Sequence, residues 1–142
     1  MVSHGGNSPA VHTAVNELGI AFPQCSVAML RYWDFMTEFM ETLRDSPLGG
    51  IGHAGEMETS MMMALYPHLV GDGWENYSLA QGNDWYHPDM FAHNRVTVYR
   101  RFRDISPYGN VGVCQDASRE KGEKILSYLG EEIGKFLDGY FI

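Results

Sequence analysis

Four glycines fall within the seven residues "GGIGHAG", Gly49 to Gly55, and "EMETSMMMALYPHLV" follows directly behind them. No helix or strand tolerates glycine at that density, because each one costs about 0.5–1 kcal/mol in an element's interior. The run must therefore be a tight turn whose bare backbone approaches something closely. The helix behind it is predicted from Gly55 to Tyr66 and closes before Pro67, since the residue ahead of a proline is pushed out of helical geometry. Met61, Met62, Met63 and Leu65 make its body apolar nearly all round, which predicts burial.

The rest of the chain reads as alternating elements around this feature. A first helix starts at Asn7 or Ser8, with Pro9 in its first turn, runs through "AVHTAVNEL" and stops at Gly19. "CSVAML", Cys25 to Leu30, has the apolar, β-branched character of a short buried strand, and "WDFMTEFMETLRD", Trp33 to Asp45, the spacing of a helix. "RVTVYRRF", Arg95 to Phe102, alternates like a half-buried strand. Gly71–Met90 and "ISPYGNVGVCQDAS" read as loops, and a last helix spans Ala117 to Tyr140 with Ile125, Leu126, Leu129, Ile133, Phe136 and Leu137 on one face. Strands alternating with helices imply an α/β fold with a largely parallel sheet. At 142 residues the whole is one domain's worth.

Composition excludes several functions. A formal charge of −8 disfavours nucleic acid and anionic membrane surfaces, both of which reward clustered Lys and Arg. No segment reaches the roughly 18 apolar residues of a membrane span, and no secretory leader is expected. Cys25 and Cys114 lie far apart without a CxxC pair, which argues for free thiols in a reducing cytoplasm.

Chemistry concentrates at the two glycine turns. His53 and Glu56 stand three positions apart at the entry of the Met-rich helix, with Glu58, Thr59 and Ser60 behind them. Acidic residues there can simply complement the helix dipole. A His and a Glu at such an entry can also ligate a divalent metal or act as an acid/base pair. His4, in "SHGGN" just ahead of the first helix, is open to the same two readings, packing or capping on one side and ligation on the other. Ser60, Trp74, Tyr77 and Trp85 are readable either as pocket lining or as ordinary packing and loop anchors.

"SHGGN", followed some fifty residues later by "GGIGHAGEMETSMMMALYPHLV" and then by "SPYGNVGVCQDASREKGEKIL", closely resembles the creatininase family of creatinine amidohydrolases. The resemblance covers essentially all of 1–142 but only the C-terminal portion of the family's length. It implies a three-layer αβα sandwich of the creatininase type, incomplete for want of its N-terminal strands. It also implies hydrolysis of a C–N amide bond in a small, often cyclic substrate at a site of two divalent ions (zinc, manganese or iron). Carried over position by position, His4 matches the metal-binding histidine of the glycine turn, Glu56 becomes the carboxylate ligand, and His53 matches the proton-transfer histidine. The sequence departs from the family in having Val2 and Ser3 where Asn and Gly are usual, and Gly6 where one branch has a glutamate.

The same resemblance places the strand leading into His4, a Glu-x-His pair and a bridging Asp in an N-terminal part that these residues do not include. Two ions about 3.5–4 Å apart need a shared ligand and several anionic groups. His4 and Glu56 alone fall short, so the chain is expected to be inactive by itself. It is expected to act as a homo-oligomer or with a complementing N-terminal polypeptide. The rival is a non-catalytic assembly or ligand-binding protein derived from half of such an enzyme. A single-metal hydrolase would need a third ligand such as His12 or Asp84, and no spacing recommends either.

Overall fold

The computed structural model describes residues 1–76 and 78–140. Five α-helices are present among them: α1 Ser8–Ala21, α2 Thr37–Leu43, α3 Glu56–Leu65, α4 Phe102–Ile105 and α5 Arg119–Tyr140. Short 3-10 turns at Gly5–Asn7, Tyr32–Phe35 and Pro67–Leu69 complete the regular structure. The described residues fall into two compact units. One holds Met1–Thr37 with the residues from Tyr128 on, and the other is Glu38–Ser127.

In the first unit, Asn7 occupies the N-cap position of α1 and Pro9 lies in its first turn, where a missing N–H costs nothing. The helix runs two residues beyond the expected stop at Gly19, and the Phe22 N–H closes it on Leu18 O at 2.8 Å. None of its residues is buried, and Ile20 is 82% exposed. Buried here are Val2, Tyr32, Met36 and Leu129. The expected helix from Trp33 to Asp45 is broken at Met36, whose φ of −118° lies outside helical geometry. Tyr32–Phe35 tightens instead into a 3-10 turn, clasped by the Arg31 Nε–Asp34 Oδ2 pair at 2.6 Å.

The second unit is built around the glycine run. Met40, Ile51, Met57, Val111, Val113, Cys114, Ala117 and Ile125 form its apolar interior. α3 and α5 start within two residues of their expected positions, because capping and periodicity are local signals. The Met-rich body of α3 is not buried as expected: of its residues only Glu56, Met57 and Ser60 are, while Met62 and Leu65 are exposed. Gly122 explains the close approach of α5 to α3, since a Cβ there would collide with Ser60 O.

The αβα sandwich is not formed among the described residues. They contain no strand, only isolated bridges, Val2 to Arg31 (parallel) and Ser78 to Gly112 (antiparallel). Cys25–Leu30 is extended without strand partners, save for the Val2 N–H reaching Leu30 O at 2.7 Å. Arg95–Phe102 likewise has no ladder, and Val96, Val98 and Tyr99 are exposed. Alternation marks a segment fit for a sheet, but a strand exists only when a neighbour accepts its hydrogen bonds. No helix of the described residues is long and apolar enough to cross a membrane.

Candidate active site

The glycine run forms a cradle whose backbone is accounted for almost atom by atom. Gly49 N–H and Ile51 N–H donate to Asp89 Oδ2 at 2.7 and 3.3 Å. Gly50 N–H reaches Pro47 O, and Gly50 O accepts from both Glu56 N and Val113 N. Ile51 O accepts from Met90 N and His53 O from Val111 N, each at 2.6 Å. At Gly52 a Cβ would run into Val111 O and Pro88 O, so only glycine lets the two strands of chain lie this close.

Ala54 follows in left-handed geometry, φ +47°, the one non-glycine residue of positive φ among those described. Three side chains hold it there. Glu58 Oε2 accepts its N–H at 2.6 Å, while Thr59 Oγ1 and Cys114 Sγ donate to its carbonyl at 3.2 and 3.0 Å. Such a conformation costs about 1–3 kcal/mol and persists only when its surroundings over-determine it. The outcome is specific: His53 has a pinned backbone and an exposed ring, set edge-on to Phe102 at 5.0 Å between centroids and 88° between planes.

Two buried carboxylates grip this cradle, each against one cation. Asp89 is fully enclosed and pairs with Arg44 Nη2 at 2.8 Å, besides accepting Phe91 N–H at 3.1 Å. Burial pushes its pKa up, but the Arg44 guanidinium and the backbone N–H groups outweigh burial and hold it below the ordinary value. Glu56 accepts the backbone N–H groups of Asp45 and Ser46, both at 3.0 Å, and the Lys121 ammonium at 2.5 Å. Burial again raises and the hydrogen bonds lower, with the lowering ahead. Lys121 also reaches Asp45 Oδ2 at 2.6 Å and Asp116 O at 2.7 Å; against the depressing effect of burial these partners hold its pKa above the ordinary lysine value.

The residues expected to hold metal are thus otherwise engaged. His4 and Glu56 belong to different units, and each is committed within its own. His4 Nδ1 accepts the Gly6 N–H at 3.1 Å, capping the 3-10 turn. A neutral ring that accepts at Nδ1 carries its hydrogen on Nε2, whereas a ligating histidine donates its second ring N–H outward. Glu56 faces an ammonium where a metal ligand would need an open lone pair. Among the described residues no three His, Cys, Asp or Glu side chains converge as a metal-holding group. In this arrangement His4 and Glu56 do not fit a metal, and Glu56 acts as a buried anchor.

Ser60 is fully buried, donating to Glu56 O at 2.6 Å and accepting Ser118 N–H at 3.1 Å, so it joins α3 to the start of α5 and lines no pocket opening. Trp85 is 58% exposed under the Arg95 guanidinium, and Trp74 is also exposed; Tyr77 lies outside the described residues. Sequence reasoning missed Arg44, Asp89 and Lys121. Asp89 left a faint local trace, an acidic residue after Pro88 whose carboxylate can accept from the backbone two residues on. Arg44 and Lys121 left none, because their partners lie 45 and 65 residues away.

A turn that offers an exposed imidazole from a rigid backbone, beside an acidic helix entry, is the kind of scaffold hydrolases use. The sequence pattern of the creatinine amidohydrolase family matches residues 1–137, and the chain belongs to that family. A creatinine amidohydrolase from Pseudomonas putida is 36% identical over 121 residues, which are 82% of this chain and 43% of the relative. Among solved structures, a zinc–zinc form of a mutant creatininase superposes with a TM-score of 0.64 at 28% identity. A creatinine amidohydrolase crystal structure gives 0.63 at 27%. Both comparisons cover 92% of this chain and 49% of the neighbour. The chain spans less than half the length of the relatives it matches. Where those relatives have a sandwich, the described residues reproduce its helices and turns more fully than its strands.

Proposed function

We propose that this chain contributes one part of a creatininase-type amidohydrolase that cleaves a C–N amide bond in a small substrate. The carrying observation is the cradle: in a chain of this family, His53 is the one cradle side chain held out from a pinned backbone. His53 serves as the proton carrier, handing a proton to the departing nitrogen as water's oxygen takes its place on the carbonyl carbon. Neighbours described as zinc–zinc and manganese creatininases support a divalent metal in the completed enzyme. A neighbour described as a complex with creatine supports a small guanidino or lactam-like substrate class.

Of the two carboxylates in the first turn of α3, Glu58 and not Glu56 is the one we assign to face a cation in the completed enzyme. Glu56 is 1% exposed and neutralised by Lys121, whereas Glu58 is half-buried on the same turn. The remaining acidic ligands come from a complementing polypeptide equivalent to the rest of the family's length, or from a second copy.

The test is reconstitution. The chain is mixed with the N-terminal portion of a creatinine amidohydrolase and zinc or manganese, and creatinine ring opening is followed. Activity that appears on mixing and falls at least a hundredfold with His53→Ala supports the reading. Activity untouched by His53→Ala and Glu58→Gln together counts against it. One arrangement favours a second reading, a non-catalytic assembly protein: no metal-holding trio converges among the described residues. Tight binding of two zinc ions by the isolated chain contradicts that reading.

A further inference from the structure

We infer that Asp89 is a positioning residue for His53, acting through the backbone of the glycine cradle. The inference rests on the reading of His53 as the working group. Asp89 is the single side chain that accepts from two cradle amides, Gly49 N–H and Ile51 N–H, and it does so with the same oxygen that pairs with Arg44. Its other oxygen takes Phe91 N–H, while the neighbouring Met90 N–H donates to Ile51 O. The 89–91 segment therefore holds the cradle through both its donors and its acceptors around Ile51, two residues before His53.

Downstream, Val111 N–H on His53 O and the three bonds on Ala54 hold the other end. With both ends fixed, His53 has little backbone freedom, and its ring direction against Phe102 is set by the cradle. Cutting the Asp89 end frees the Gly49–Gly52 backbone, where glycine offers little resistance of its own. The ring direction should drift even though the helices stay formed.

The experiment compares wild-type chain with Asp89→Asn and Arg44→Gln, reading amide hydrogen exchange and the His53 ring resonances by NMR at one fixed pH. The inference expects at least tenfold faster exchange at Gly49 and Ile51. It also expects a moved His53 ring resonance in both variants, with α1 amides unchanged and Asp89→Glu partly restoring the signal. Should Asp89→Asn fail to fold, Arg44→Gln carries the same reading alone. A folded variant with unmoved His53 resonances and unchanged exchange overturns it. Because neither readout needs catalysis, an inert His53→Ala in the reconstituted enzyme would sink the functional reading while leaving this one standing.

Discussion

Two glycine turns in this chain present a histidine ahead of a helix, and they could hardly be held more differently. At Gly5–Asn7 the turn is exposed, His4 caps it, and a Cβ on Gly5 would touch nothing within 4 Å. At Gly49–Gly55 the turn is tied into two buried ion pairs, and glycine is demanded by the backbone of Val111. The same composition therefore yields a loose turn in one unit and a rigid one in the other. What makes a glycine turn a platform is the set of distant groups that claim its amides.

The largest effect should come from removing one member of a buried pair. Asp89→Ala leaves Arg44 without its carboxylate and should cost about 3–5 kcal/mol in urea unfolding. Asp34→Ala, which breaks the exposed Arg31 pair in the other unit, should stay within about 1 kcal/mol. Equal losses would erase the contrast. Next, Gly52→Ala should cost about 1–3 kcal/mol, because the added methyl overpacks against carbonyls that are themselves bonded. Gly5→Ala should change stability by no more than about 0.5 kcal/mol.

Acid sharpens the comparison further. Asp89 and Glu56 have folded pKa values depressed below their ordinary 3.8 and 4.5. Their contribution is complete above those ordinary values and is lost as pH falls through the depressed ones. Urea midpoints should thus drop below about pH 4, and Glu56→Gln should flatten that drop. Lys121 is opposite in sign: its pKa is raised above 10.5, so its contribution is full below that and is lost as pH climbs through the higher value. The smallest effect expected is Glu123→Ala on α5, about 0.3–0.5 kcal/mol by thermal melting, for its exposed pair with Arg119.

These contrasts also mark what the amino-acid order made legible. The glycine run, the helix entry behind it and the long amphipathic α5 were readable because each signal lies within one or two turns of chain. The family itself was readable from "HAGEMETS" and its companions. The strands at Cys25–Leu30 and Arg95–Phe102 were not, since alternation records a fitness for pairing and not a partner. Glu56 looked like a metal ligand because nothing nearby discloses Lys121, 65 residues on, as its counter-ion. The burial expected of Met62 and Leu65 failed for the same reason: an apolar surface does not announce what, if anything, covers it.

The two cysteines fall on either side of the contrast drawn above. Cys25 is exposed in one unit, and the buried Cys114 points its sulfur at the carbonyl of Ala54 in the other. A thiol-alkylating dye thereby becomes a gauge of the second turn's breathing, with the surface sulfur as its internal clock. The chain comes with its own probe at the spot where a probe is most wanted.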